Sequence, residues 1–422
     1  MRIYPKVYLT NKKTKMFISL NNPAKEIKVK ILGCEKYLTK HNNYRIDEFE
    51  RHPVFIPTKI NDKLFSLEVT LPIEQKYTIF VEVGEVRDRT VIYALDKDLY
   101  ELNAYKGDTH LHTSRSDGLL EPKDMSTDYR VNGFDFIVVT DHHIYESSLE
   151  TRDIIKKLTD SFVVYPGEEI HNMHMGYFHI INIGGNNSVN TTVLSNPKQV
   201  DKEVHQIMDK MNYPKELDAY NVAYRTWVAN KIKEFDGIAT IAHPYWYAYG
   251  EYSIQTKDLE YLLKNDIYDA VEMISASDYD DNGNNLISLL YEEMLREGYC
   301  KKLAMVGASD SHTSDQTSIY GPHFGLNYTI VFMKDNKLET FKEAIKDQRT
   351  VACAKFSNTV TKVYGRYRYS LYARFLIDEY FPTHAKLCEA NGKALKTEDK
   401  KDILETQQKI DEFSKEFFGK NS

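Results

Sequence analysis

Histidines and acids recur at the ends of apolar runs in the middle of this 422-residue chain. The first cluster is Gly107-Asp-Thr-His110-Leu-His112-Thr-Ser-Arg-Ser-Asp117-Gly118. His110 and His112 stand two apart, and on a strand that spacing turns both imidazoles to one face, within reach of one metal ion. Asp117 follows on a loop, and Gly118 permits a tight turn. Next, the apolar run from Phe134 meets Asp141-His142-His143, and Val163-Val-Tyr-Pro-Gly ends in Glu168-Glu169-Ile170. His179 sits among apolar neighbours, His243 follows Ile238-Ala-Thr-Ile-Ala and precedes Pro244, and Asp310-Ser-His312 closes the run from Leu303.

Each cluster alone has a plain explanation. His179 reads as a satisfied core residue, His243 as a turn residue, and a single His-x-His pair is a weak motif. Taken together they point elsewhere, because six buried imidazoles and three buried carboxylates are costly without partners. No cysteine-rich ligand set is present, so the donors suit Zn, Mn or Fe. Nine donors exceed one ion, and two or three divalent metals are expected, some of them about 3.5–4 Å apart.

The elements that must position these residues alternate. From about residue 105, short apolar runs at 107–112, 134–140, 162–166, 177–183, 237–242, 268–274 and 302–308 read as strands. Helices fit 121–131, 146–159, 253–265 and 285–298, and a last strand and helix fit 328–333 and 337–347. Such alternation is that of βα units, whose strand ends converge on one rim in a β/α barrel. Residues 197–235 read as a helical insertion with Met208, Met211, Tyr220, Tyr224 and Trp227 as packing contacts. Residues 1–100 read as an antiparallel β-sandwich-like domain, from Ile27–Ile31, Leu64–Leu71 and Tyr77–Val83, and His41 and His52 there look like isolated surface residues. The segment 366–422 reads as a helical tail punctuated by Pro382 and Gly392, with an apolar face for the barrel or for a second subunit.

Composition excludes several classes. Apolar residues at 42% and charged residues at 28% suit a folded chain. A net charge of −7 is wrong for a duplex-DNA binder. No run is long enough to span a bilayer and the N-terminus has no signal-like apolar core, so no membrane partner is expected. Cys34, Cys300, Cys353 and Cys388 form no CxxC pair and read as thiols of a reducing compartment, the cytoplasm.

In their order along the chain, His110-x-His112 with Ser116-Asp117-Gly118, Thr140-Asp141-His142, Pro166-Gly-Glu-Glu-Ile170, the strand with His179, Ala242-His243-Pro244 and Ser309-Asp-Ser-His312 resemble the polymerase and histidinol phosphatase (PHP) superfamily of metal-dependent hydrolases. Arg349-Thr-Val351 resembles its closing element. The resemblance covers about residues 105–355 and implies an α/β fold, a distorted (β/α)7 barrel. It also implies metal ligands at His110, His112, Asp117, His142, Glu169, His179, His243, Asp310 and His312. Glu169 is taken over Glu168 because it directly precedes Ile170, as in the family motif, and His171 and His174 lie beside His179 as alternatives. The lead-in Tyr105-Lys-Gly-Asp-Thr-His110 after a β domain resembles the carbaryl-hydrolase-like branch.

The chemistry expected is hydrolysis by a metal-bridging hydroxide, and the resemblance, to a superfamily that is mainly phosphoesterase, implies a small anionic phosphoester as substrate. The alternatives are a carbamate, ester or amide hydrolase and a non-catalytic scaffold. Asp310 and His243 are candidates for proton transfer. Arg115 and Lys106 are candidates for contacting an anion, and Tyr245, Trp246 and Tyr247 for walling the pocket. No GxSxG elbow or reactive-cysteine pattern supports a covalent intermediate.

Overall fold

The computed structural model describes residues 1–35, 53–171, 179–214, 219–248, 250–275, 282–355 and 360–420. His41, His52 and His174 lie outside the described residues. The chain divides into two compact units, one of Met1–Leu102, Phe375–His384 and Gln408–Ser422, the other of Asn103–Arg374 and Ala385–Gln407. Among the described residues no helix is long and apolar enough to cross a membrane, and none of the four cysteines is in a disulfide.

In the first unit, alternation of apolar and polar residues builds two four-stranded sheets. One runs Arg2–Tyr4, Thr14–Ser19, Leu64–Val69, Thr58–Lys59, and the other Val7–Leu9, Val86–Leu95, Gln75–Val83, Lys28–Gly33. The strand Gln75–Val83 turns Tyr77, Ile79 and Val81 inward. They share a core with Val29 and Ile92 of their own sheet and with Ile3, Met16, Ile18 and Phe65 of the other, as in a sandwich.

The second unit holds a six-stranded sheet and a five-stranded sheet. The first runs Val163–Tyr165, Phe136–Val138, Asn103–Asp108, Asn327–Met333, Thr350–Ala354, Lys362–Gly365. The second runs Gly167–His171, His179–Ile183, Ile238–Ile241, Ala270–Ile274, Ala304–Gly307. Both are mixed. Asn327–Met333 is antiparallel to both of its neighbours, and so is His179–Ile183. The two sheets meet in two places. At one, Val163–Tyr165 passes through Pro166 into Gly167–His171. At the other, the last strand of the five-stranded sheet meets Asn327–Met333, an inner strand of the six-stranded sheet, and the Thr329 hydroxyl donates to the Gly307 carbonyl and accepts from its N–H, each at 2.8 Å. Phe136, Val138, Val331 and Met333 of one sheet share an apolar interior with Ile181, Ile183, Ile238 and Val306 of the other. The chain's architecture is thus mixed α/β, with twelve helices among the described residues.

Several expectations shift. The run 107–112 is a regular strand only to Asp108 and bends at Thr109, with Leu111 bridged to Ser311. Gly167–His171 is itself a strand, disguised in sequence by its two glutamates. The insertion forms the helices Pro197–Met208 and Ala219–Glu234, with Tyr224 and Trp227 buried and Met208, Met211 and Tyr220 partly buried. Gly392 does not break the chain. It lies inside the helix Phe381–Thr397, where a Cβ would stand 2.5 Å from the Val131 nitrogen, so glycine permits close helix packing.

Arg130, on the helix Pro122–Val131, ties Ala385–Gln407 to the rest of the second unit. It is 1% exposed and donates to Asn391 Oδ1 at 2.8 Å, the Phe134 carbonyl at 3.0 Å, and Asp135 Oδ1 and Gln407 Oε1 at 3.2 Å. Arg130→Ala removes four hydrogen bonds and the buried cation that faces Asp135, and we expect a loss of about 3–5 kcal/mol from this unit in denaturant titrations of the full chain. A loss below about 1 kcal/mol, the scale of a surface pair, would contradict the buried network.

Candidate metal centre

The segment after Asn103–Asp108 is held from both sides. The Leu111 N–H donates to Thr140 Oγ1 at 3.1 Å, and the His112 N–H to the Ser311 carbonyl at 3.0 Å. Leu111 is buried, while its neighbours His110 and His112 bring their Nε2 atoms to 3.2 Å from one another. Both nitrogens lie 3.2 Å from Glu169 Oε2, and they lie 3.1 and 2.9 Å from Asp310 Oδ1.

The pleat separates the two adjacent glutamates. Glu169 enters the histidine cluster. Glu168 accepts from Asn182 Nδ2, Ser188 Oγ, Asn190 Nδ2 and the N–H groups of Val189 and Asn190, at 2.7–3.3 Å. It thus receives the start of the helix Val189–Ser195, as a carboxylate suits a helix N-terminus.

Around Glu169 the remaining residues arrive from separate strand ends. His142 Nδ1 lies 3.2 Å from Oε2, and His179 Nδ1 and His243 Nε2 lie 2.9 and 3.3 Å from Oε1. His179 and His243 are themselves 3.0 Å apart. Asp117 Oδ2 lies 3.2 Å from His312 Nε2 and 3.6 Å from His142 Nε2. All nine residues therefore come together, in three overlapping cradles whose donor atoms lie within 4.8 Å of one another: His110, His112, Glu169 and Asp310; Glu169, His179 and His243; and His112, Asp117, His142 and His312.

The donor chemistry fits divalent cations. Three imidazole nitrogens stand close to Glu169 Oε2, yet this buried oxygen has no aligned hydrogen bond, nor have His112 Nδ1, His142 Nδ1 and His243 Nδ1. Such groups are rarely left unmatched. Burial works against charge on Glu169, but His179, His110 and His142 outweigh it and hold the carboxyl well below its usual range. Burial also opposes charge on His112, but Asp310 and Glu169 prevail and raise it to about 10. Burial pushes His142 down to about 3 against the pull of Glu169. The cluster demands positive charge at its centre, and a bound cation would take the place of those protons.

A second layer orients the donors. Glu272, fully buried, places Oε1 2.8 Å from His110 Nδ1, and its Oε2 accepts from the His243 N–H at 2.7 Å. One carboxylate thus sets a ring and a backbone, as carboxylate–histidine–metal arrangements do. Asp108 accepts from the N–H groups of His110 and Ser309 and from the Tyr129 hydroxyl. Asp141 accepts from the Thr113 N–H, the Thr113 hydroxyl and the Ser116 hydroxyl, fixing the loop that carries Asp117. Asp310 has φ +50°, a left-handed conformation that aspartate tolerates better than most residues. Sequence inspection missed Glu272, although a lone acid inside Ala270-Val-Glu-Met-Ile274 is a visible signal.

Other candidates are engaged elsewhere. Arg115 pairs with Glu121 at 3.0 Å and Glu150 at 2.7 Å. Lys106 lies over the Phe134 and Tyr328 rings, with burial lowering it to about 8. Tyr245 is buried in the core and Tyr247 is exposed, whereas Trp246 lies against both His179 and His243, with ring centroids 5.6 and 5.3 Å away.

No protein-family model and no curated protein matches this chain. Among solved structures it is similar to a two-domain protein from Bacteroides vulgatus containing a predicted PHP-like metal-dependent phosphoesterase, at 19% identity and TM-score 0.40, over 60% of this chain and 65% of that one. It is also similar to an amidohydrolase from Chromobacterium violaceum with bound sulfate and no metal, at 16% identity and TM-score 0.35, over 50% of this chain and 88% of that one. A third is a protein from Bifidobacterium adolescentis described as a metal-dependent phosphoesterase, at 15% identity and TM-score 0.34, over 49% of this chain and 87% of that one. Likeness at this level does not define a family for the chain.

The two glutamates have opposite expected phenotypes. Glu168→Gln turns an amide group toward donors and should cost about 2–4 kcal/mol of stability while leaving metal content unchanged. Glu169→Gln should keep the melting temperature of the metal-free protein and strip bound metal. Melting curves and elemental analysis of both variants check this, and interchanged phenotypes would contradict the placement.

Proposed function

We propose that the chain is a metal-dependent hydrolase acting on a small phosphoester, with the nine clustered residues as ligands on one rim of a distorted β/α barrel. The observation that carries this reading is Glu169, a buried carboxylate with five imidazole nitrogens within 3.3 Å and an oxygen that no hydrogen bond satisfies. When bound, two or three Zn, Mn or Fe ions would supply water of lowered pKa and positive charge against the developing negative charge.

The chain's own residues then have distinct tasks. Glu169 would hold ions through both oxygens, Oε2 on the side of His110 and His112, Oε1 on the side of His179 and His243. Asp117 is 54% exposed, Asp310 19% and His312 18%, so substrate would approach from this side. Asp310 shares Oδ1 with His110 and His112, while Oδ2 lies 4.0 Å from His243 Nε2. That second oxygen is the place to receive a proton from water or return one to the leaving group, with His243 beside it. Trp246, against His179 and His243, would limit water on that flank.

One observation favours a second reading. Both cations that the sequence offered to a phosphate, Arg115 and Lys106, are taken up elsewhere. A less charged carbamate, ester or amide would suit that surrounding. Assays on p-nitrophenyl phosphate, a phosphodiester, a carboxylic ester and a carbamate separate the two. Fastest turnover of a phosphoester supports the first reading, and fastest turnover of the carbamate or ester replaces it with the second.

We expect at least two equivalents of transition metal per chain after purification without chelator, and less than one equivalent would count heavily against the site. His110→Ala should cut turnover by at least about a hundredfold at saturating metal. His205, on the exposed face of Pro197–Met208 with Nδ1 2.8 Å from the Asp201 carbonyl, serves as the control. His205→Ala should leave turnover nearly unchanged, with circular dichroism verifying both folds.

A further inference from the structure

His171 lies outside the nine residues but is paired with one of them. It is the last residue of Gly167–His171, directly opposite His179, the first residue of the antiparallel strand His179–Ile183. Directly opposed residues share a face and touch through their side chains. Here His171 Nδ1 lies 3.1 Å from His179 Nε2, with ring centroids 4.7 Å apart. The rings of His142 and His143 stand 5.3 and 5.2 Å from His171.

The two nitrogens of His179 face different surroundings. Nδ1 points to Glu169 Oε1 and His243 Nε2, the side that would carry a cation. A neutral imidazole has one lone pair and one N–H. If Nδ1 is the ligand atom, the proton sits on Nε2 and needs an acceptor in a place 8% exposed. His171 Nδ1 is the atom at hydrogen-bond distance.

We propose that His171 is a positioning residue that accepts the His179 Nε2–H bond, locking the tautomer and ring orientation that direct His179 Nδ1 at the metal centre. It acts through His179 and is not a ligand itself. The bond carries no net charge, so the ring stays fixed without adding another anion to the site, in contrast to Glu272 on His110. This inference rests on the metal-centre reading above.

The test compares the full-length protein with His171→Leu and His171→Gln, all loaded with zinc. The primary readout is metal retention, as equivalents per chain at saturating zinc and as resistance to competing chelator. His171→Leu keeps the volume and removes the acceptor. It should hold the same number of equivalents at saturation and release zinc from one of them at a chelator concentration about 10- to 100-fold lower. His171→Gln, whose side-chain carbonyl can accept the same bond, should recover most of that loss. Long-range proton–nitrogen spectra should show His179 protonated at Nε2 in the zinc-loaded wild type. Retention in His171→Leu equal to wild type would overturn the proposal. Loss of a whole equivalent in both variants at saturating zinc would also overturn it, making His171 a ligand. A wild-type chain that binds no metal would instead refute the metal-centre reading itself.

Discussion

The structure turns on the burial of one negative charge. Glu169 is 1% exposed, and a carboxylate removed from water persists only where its charge is matched. Five imidazoles converge on it, His110 and His112 from one segment and His142, His179 and His243 from three others. Imidazoles alone match it poorly. Those that stay neutral supply no charge, and those that gain protons repel one another at these separations. The arrangement is that of donors around a shared cation rather than of a closed hydrogen-bond network.

This demand reaches outward into the fold. Donors that must meet within a few ångströms need rigid carriers, and several are fixed through the backbone or by a second polar group. Glu272 couples the His110 ring to the His243 backbone. Asp108 binds the N–H groups of His110 and Ser309, joining the first strand to the segment that carries Asp310 and His312. Positive φ at Asp310 and His143 shows where the backbone departs from its preferred basins within this cluster. Underneath, the apolar interior shared by the two sheets supplies the stiffness that the polar end lacks.

Much of this was legible in the chain, and the reasons are local. His110 and His112 declare a shared face through their spacing, and Asp141-His142 and Asp310-Ser-His312 follow apolar runs as polar tips must. The helices Pro122–Val131 and Leu338–Lys346 lie within a residue or so of where periodicity puts them. What escaped depends on pairing across the chain. No local signal tells that His179–Ile183 runs antiparallel to both its neighbours, and that direction is what sets His171 against His179. The choice of Glu169 over Glu168 comes from the family resemblance, and the pleat and the helix start at Val189 supply its physical reason. Gly392 reads as a break because its purpose, room for Val131, lies more than two hundred residues away.

The most direct test of the central claim is anomalous X-ray scattering from crystals of protein purified without chelator, recorded at the zinc, iron and manganese edges. We expect at least two anomalous peaks bound to Glu169, one among His110, His112 and Asp310 and one beside His179 and His243, each about 2.0–2.2 Å from its ligand atoms. Crystals of metal-replete protein with no peak in contact with Glu169, its imidazoles instead hydrogen-bonded to it and to ordered water, would contradict the account.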